Sequence, residues 1–244
     1  MVDLSVIVPA YNEEGIIVKT VEEIKRVLES ANIDYEIVVV DDGSEDKTHL
    51  VVKKRFSKDP RVIVVRKENG GKGSAIKYGF EFTRGKYVGF IDADLEIHPK
   101  YLMKLLVELI NNNSDAAIGS KRVRGANFRY KNPLRRVLSR AYFLMVQTLF
   151  NLPVKDTQVG IKLFRRSAFE DVLKRVTCKR YTFDLELIVV ANLLGYKISE
   201  IPVVIEFRRR NRIKLKDIWK MLLDTLGVYY RAKVIRYYER VVED

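Results

Sequence analysis

A chain of 244 residues with 47% apolar side chains can bury one large core or two small ones, which excludes a disordered or disulfide-stapled protein. One cysteine, Cys178, and two histidines, His49 and His98, leave no disulfide and no cysteine–histidine metal cluster, and neither histidine has a nucleophile set beside it, so zinc enzymes and Ser-His-Asp hydrolases drop away. The formal charge of +13 is concentrated in two stretches: Lys121 to Arg140 holds eight Lys/Arg and no acid, Glu206 to Arg240 holds eleven against four acids, and the remainder is near −2. Such patches attract nucleic acid, an anionic membrane or phosphorylated substrates.

Short β-branched runs at residues 4–8, 36–40, 62–65, 87–91 and 116–118 read as buried strands, and the helical spacing at 14–28, 46–56, 73–82 and 100–110 fills the gaps between them. That rhythm predicts an α/β fold with a mainly parallel sheet flanked by helices, whose ligands bind at the carboxyl ends of the strands. Further on, 132–150 reads as a helix, 155–164 as a loop entering a strand, 183–194 as a buried helix and 198–207 as a last strand. Residues 214–241 read as a basic amphipathic helix or helix pair, on which Trp219, Leu222, Leu223, Leu226 and Tyr230 share one stripe. The stripe suits a peripheral membrane contact, the chain's own core or a second subunit. No repeat or linker interrupts the chain, so the expected division is a domain over 1–207 with a helical appendage over 208–244. No run reaches the ~18 uninterrupted apolar residues of a membrane span, and the start carries no leader pattern, so the expectation is a cytoplasmic protein held peripherally on the cytoplasmic membrane face.

Every early strand ends in polar residues: Pro9-Ala10-Tyr11-Asn12-Glu13, Asp41-Asp42-Gly43-Ser44, Glu68-Asn69-Gly70-Gly71-Lys72-Gly73 and Asp92-Ala93-Asp94-Leu95-Glu96. Asn12 and Ser44 taken singly fit helix N-caps; four such ends on one rim call for more than capping. Asp92, Asp94 and Glu96 supply hard oxygen ligands suited to Mg²⁺ or Mn²⁺ holding a diphosphate. Asp41 or Asp42 can accept hydrogen bonds from a ribose or base, or else form an Asx-turn into Gly43. The loop around Lys72 matches neither a P-loop nor a dinucleotide fingerprint, which leaves Lys72 as a nucleotide-sugar contact or a solvated lysine.

Together Val8-Pro9-Ala10-Tyr11-Asn12-Glu13, Val40-Asp41-Asp42-Gly43-Ser44, Asn69-x-Gly71-Lys72-Gly73 and Asp92-Ala93-Asp94 resemble the family 2 glycosyltransferases, over about the first 120 residues. The resemblance implies a GT-A fold, nucleotide contacts from Pro9, Tyr11, Glu13 and Asp41, and a metal-diphosphate site on Asp92 and Asp94. Glu96 stands where mannose synthases of this kind carry Gln, a change that preserves metal binding. Asp156-Thr157-Gln158-Val159-Gly160-Ile161-Lys162, Phe183-Asp184-Leu185-Glu186 and Glu200-Ile201-Pro202-Val203 resemble dolichyl-phosphate glucose synthases and related polyprenyl-phosphate sugar transferases. Their C-terminal Gly-Ser-Lys motif corresponds here to Arg212-Ile213-Lys214, which retains Lys214 for the donor diphosphate.

The expectation is an inverting transferase that moves a hexose, with UDP-glucose the favoured donor, to dolichyl or polyprenyl phosphate. Its alternatives are transfer from GDP-mannose, a soluble or polysaccharide acceptor, and a silent nucleotide-sugar-binding or membrane-scaffolding protein. Arg135 and Ser139, one turn apart on a basic helix, are expected to grip the acceptor phosphate, with the apolar 141–149 against lipid. An amphipathic core helix is the competing reading there. A phosphate monoester is already largely dianionic, so a strong general base is dispensable. The expected catalytic set is Asp94, Arg135, Asp156, Gln158 and Lys162, with Lys162 and Lys214 neutralising two anions beside the metal. Nucleic acid does not account for the acidic strand ends and is not expected as a partner; a homodimer is left open.

Overall fold

The computed structural model describes residues 2–128, 133–180, 182–206 and 215–240, with only the backbone of 128, 133–135 and 215–217. In chain order it comprises β1 (Leu4–Ala10), α1 (Ile17–Ser30), β2 (Tyr35–Asp42), α2 (Thr48–Phe56), β3 (Val62–Lys67), α3 (Lys72–Phe80), β4 (Tyr87–Ile91), α4 (Lys100–Asn111), β5 (Ala116–Ser120), β6 (Asn127–Phe128) and α5 (Pro133–Phe150). Then follow β7 (Ile161–Arg165), α6 (Arg166–Arg175), α7 (Phe183–Leu193), β8 (Ile198–Pro202), β9 (Val204–Ile205), α8 (Leu215–Tyr229), a π-helical turn (Tyr230–Val234) and α9 (Tyr237–Arg240). Seven strands form one sheet in the order β3-β2-β1-β4-β7-β5-β8, and β6 and β9 form a small second sheet.

Alternation along each strand divides the core in two. Leu4, Val6 and Val8 of β1 face α1 and α4 on one side of the sheet, while Ile7 joins α3, α6 and α7 on the other. Val146 and Phe150 of α5 and Val228, Ala232 and Tyr238 of the C-terminal segment belong to that second core. The C-terminal helices are therefore docked on the sheet domain.

Four features depart from the sequence expectation. β7 lies antiparallel between β4 and β5, with Ile161 opposite Ile91 and Lys162 opposite Ile118. Its first residue, not its last, thus sits on the rim where the parallel strands end, and residues 156–160 are delivered beside Asp92. The helix α6 follows β7 directly, with no loop between Arg165 and Arg166. The run at 198–207 is two strands broken after Pro202, which has no N–H for a ladder, and residue 207 lies outside the described residues. The C-terminal helix ends in the π-helical turn, and Arg236, at φ 50°, turns the chain into α9.

Candidate active site

The first two strand ends are stitched together. The Asn12 N–H donates to Ser44 Oγ at 2.9 Å, the Glu45 N–H to Asn12 Oδ1 at 2.8 Å and the Glu13 N–H to Thr48 Oγ1 at 2.8 Å. Neither Asn12 nor Ser44 caps a helix; Ile16 and Lys47 precede α1 and α2 without side-chain caps. Asp41 is buried and takes the Ser44 N–H on Oδ1 at 3.0 Å, whereas Oδ2 has the Arg66 Nε at 3.1 Å as an ion pair but no aligned hydrogen bond. A buried acceptor with spare capacity is what a nucleotide donor group requires. Tyr11, at the end of the β1 rim, is exposed, and Pro9 lies within β1.

Asp42 differs from expectation. Its carboxylate takes the Gly70 N–H at 3.0 Å, the Gly71 N–H at 2.7 Å and Lys67 Nζ at 3.0 Å, so in this structure it anchors the glycine loop. Lys72 is likewise turned inward, with Nζ 2.8 Å from Asp92 and 2.9 Å from Asp184. Lys162 is fully buried, donating to Asp184 Oδ1 at 2.5 Å and to the Val159 carbonyl at 2.8 Å. It cannot face two substrate anions as expected; it is an interior counter-ion of Asp184.

These four groups form a linear chain, Lys162–Asp184–Lys72–Asp92, in which each charge has an opposite neighbour. Burial pushes the Asp184 carboxyl up, but Lys162 and Lys72 outweigh it and hold it below the usual carboxylate range. Burial opposes charge on Lys72 as well, and Asp184 and Asp92 raise it above the ordinary lysine value. Asp92 goes the other way: burial raises it, with Lys72 offsetting only part. Asp184 lies in the Phe183-Asp184-Leu185-Glu186 motif, to which the sequence reading gave no site role; its role comes from the two lysines that meet it.

Asp92, Asp94, Glu96, Lys121, Gln158 and Ser139 line one cavity of about 240 Å³ closed below by Gly160. Asp94 Oδ1 accepts the Glu96 N–H at 3.0 Å, and Leu95 between them has φ 55°, the backbone turn that brings both carboxylates to the same cavity. Among the described residues no three acidic, histidine or cysteine side chains converge as a ready metal cage. Gly160 lies against Asp92: a Cβ there would fall 1.7 Å from Asp92 Oδ2, while the Asp92 N–H donates to the Gly160 carbonyl at 3.0 Å.

Asp156, expected to be catalytic, is buried and accepts from the Lys121 N–H at 3.0 Å, Lys121 Nζ at 3.1 Å and the Gln158 N–H at 3.1 Å. It holds the loop and aims Lys121, a cavity residue the sequence reading missed although it opens the first basic run. Ser139 accepts Arg122 Nη2 on its carbonyl and hydroxyl, at 2.7 and 3.0 Å, and Arg122 lies over the Phe143 ring at 4.4 Å. Arg122, Arg136, Arg140 and Lys155 line a second pocket of about 410 Å³ with Phe143 and Leu144, and Ser139 belongs to both pockets. The Arg135 side chain and Lys214 lie outside the described residues.

The fold has solved counterparts. Mannosyl-3-phosphoglycerate synthase from Rubrobacter xylanophilus superposes with a TM-score of 0.72 at 18% identity, covering 95% of this chain and 75% of that one. Glucosyl-3-phosphoglycerate synthase from Mycobacterium tuberculosis, in complex with Mn²⁺, uridine diphosphate and glucosyl-3-phosphoglycerate, superposes with a TM-score of 0.67 at 20% identity, covering 93% and 78%. The sheet with its acidic rim is thus a GT-A-like fold.

The glycosyl transferase family 2 model matches residues 5–173, and the chain belongs to that family. A dolichyl-phosphate beta-glucosyltransferase of Trichomonas vaginalis is 33% identical over 250 residues, 95% of this chain and 75% of the relative.

Proposed function

We propose that this glycosyltransferase moves glucose from UDP-glucose to a dolichyl or other polyprenyl phosphate, with inversion and with a divalent cation, Mg²⁺ or Mn²⁺. The observation that carries the reading is the meeting of two oppositely charged pockets at Ser139: an acidic cavity and a pocket lined by four cations and an apolar wall. A nucleotide diphosphate and a cation suit the first; a phosphate on an apolar chain suits the second. The relative's name gives the acceptor and sugar class, and the Mn²⁺ and uridine diphosphate of the solved counterpart support the donor and metal.

The donor set fits the metal. Asp94 and Glu96 would hold it, since two carboxylates lining one cavity suit a small hard cation that draws its remaining ligands from diphosphate and water. When bound, the cation offsets the charge of the leaving diphosphate. Asp41 Oδ2 and the exposed Tyr11 ring bind and orient the nucleotide. Lys121 and Ser139 orient the acceptor oxygen toward the anomeric carbon from the face opposite the diphosphate, and Arg122 fixes Ser139. No residue has to remove a proton from the acceptor, because a phosphate monoester with a pKa near ~6 arrives ionised.

Membrane attachment belongs to the same reading. Among the described residues no helix is long and apolar enough to cross a membrane. Trp219, Leu223, Leu226 and Tyr230 point away from the core, Trp219 at 66% exposure, and Val137 and Leu144 do the same on α5. α5 and α8 touch through the hydroxyls of Tyr142 and Thr225, 3.1 Å apart. An apolar face bordered by Arg136, Arg140 and Lys220 suits an anionic bilayer surface.

Asp94→Ala tests the assignment. The variant should keep the fold, lose transfer and lose the gain in UDP affinity that Mn²⁺ confers on the native enzyme. A variant whose UDP affinity still rises with Mn²⁺ removes Asp94 from the metal site. Thermal shifts with UDP and GDP, each with Mn²⁺, separate the two donor classes.

A further inference from the structure

We propose that Arg231 and Tyr238 of the C-terminal segment, through Glu186 of α7, are positioning residues for the glycine-rich loop Gly70–Gly73. This loop follows β3 on the same rim as Asp41 and Asp92, and its Lys72 meets Asp92; that it thereby borders the donor rests on the function proposed above, whereas the mechanical coupling rests on contacts alone.

Glu186 is fully buried and is met by donors from two directions. From the 176–180 connection, Oε2 accepts the Thr177 N–H at 2.9 Å and the Cys178 N–H at 2.6 Å, and Oε1 accepts Thr177 Oγ1 at 2.8 Å. From the C-terminal segment, Oε1 accepts Arg231 Nη2 at 3.1 Å and the Tyr238 hydroxyl at 2.5 Å. Arg231 Nε also donates to Tyr238 Oη at 2.9 Å, and Arg175 Nε to the Tyr238 carbonyl at 3.1 Å. The π-helical turn that carries Arg231 and the left-handed Arg236 bring these side chains back over one carboxylate, a local irregularity with an evident use.

The other side of the 176–180 connection presses on the glycine loop. The Lys179 carbonyl takes the Gly73 N–H at 2.9 Å, and Lys77 Nζ bonds the Val176 carbonyl. There is no slack between them. A Cβ on Gly73 would come 2.4 Å from the Phe183 ring, and one on Gly71 would come 2.7 Å from the Lys179 carbonyl. A shift of Thr177 and Cys178 is therefore passed on to Gly71 and Gly73. Two residues before Glu186 on the same helix, Asp184 holds Lys72, so the first turns of α7 grip the loop and the C-terminal segment together. A buried ionic node is no more stabilising than a well-packed apolar one, so stability alone does not call for charge here; fixing one loop geometry does.

The test compares Arg231→Ala, Arg231→Lys and Tyr238→Phe with the native chain. Tyr238→Phe keeps the ring and removes one donor, so it remains informative if Arg231→Ala fails to fold. Two quantities are read: hydrogen exchange at the Gly73 amide and UDP affinity in the presence of Mn²⁺. Exchange about tenfold faster and UDP binding about tenfold weaker are expected in Tyr238→Phe, with Arg231→Lys falling between native and Arg231→Ala. A lowered melting temperature with Gly73 exchange and UDP affinity as in the native chain overturns the proposal. If the native chain itself does not bind UDP, the donor reading fails, and Gly73 exchange alone decides the coupling: faster supports it, unchanged overturns it.

Discussion

Gly160→Ala probes the site with a single methyl group. The new Cβ would lie 1.7 Å from Asp92 Oδ2 and 2.3 Å from Asp92 Cγ. Carbon and oxygen approach to about 3.3 Å, so one of the two must move by about 1.6 Å. The Gly160 backbone is not free to yield, because its carbonyl holds the Asp92 N–H at 3.0 Å and Ile161 is in register with Ile91. The carboxylate moves instead, Oδ2 the most, and the turn of the group disturbs the 2.8 Å contact between its Oδ1 and Lys72. Overpacking costs about 1–3 kcal/mol of stability. Misplacing a catalytic wall by more than 1 Å costs about a hundredfold in rate. The measurement is kcat/KM for transfer beside a thermal melt, with Gly195→Ala as control. Gly195 has φ 78° and nothing within 4 Å of its would-be Cβ, so that change costs about 1 kcal/mol and leaves the rate alone. A folded Gly160→Ala enzyme with native kcat/KM refutes the claim that Asp92 must be held where it is.

Asp184→Ala leaves Lys162 buried without its partner and should cost about 3–5 kcal/mol in a denaturant melt; an unchanged midpoint contradicts the charge chain. Trp219→Ser with Leu223→Ser should abolish co-sedimentation with anionic vesicles at low salt while UDP affinity is kept, and native-like sedimentation would detach that stripe from the membrane. Burial tends to raise the Asp59 carboxyl, but Lys25 and Arg61 overcome it and hold it below the carboxylate range. Its contribution is therefore present above the unfolded value of about 3.9 and is lost as pH falls through the lower folded one. Asp59→Asn should cost about 1 kcal/mol at neutral pH, with the difference from native vanishing in acid; a cost independent of pH refutes the ion pair.

The parallel half of the fold and its rim were legible because they are local. β1, β2 and β4 are almost wholly buried runs, as strands covered on both faces require, while the edge strand β3 is only half-buried, and each of the four ends in its own polar cluster. What was illegible depends on side-chain direction. Asp42 and Lys72 stand in sequence among the residues expected to bind nucleotide, yet they turn to the loop and to α7, because Gly70, Gly71 and Asp184 offer partners that no spacing reveals. Lys162 alternates correctly on β7 as an inward residue, and an inward lysine needs a buried acid. That reasoning, followed through the short list of acids near apolar runs, leads to Asp184.

The antiparallel β7 explains why one rim carries both charges. In a wholly parallel sheet every C-terminal strand end would deliver a loop that continues into a helix, and acidic ends such as Asp92-Ala93-Asp94 would face one another across the rim. Reversing one strand brings a strand beginning to the same edge, and with it the 156–160 loop, which carries Asp156 against Lys121. Lys121 in turn begins the acid-free basic stretch that runs through Arg122 to α5. The cations therefore reach the rim from the β5 side and the carboxylates from the β4 side, with β7 between them and Gly160 at the point of closest approach. The nucleotide-sugar donor and lipid phosphate proposed above would use that separation, the first meeting a cation on the carboxylates and the second the basic side chains.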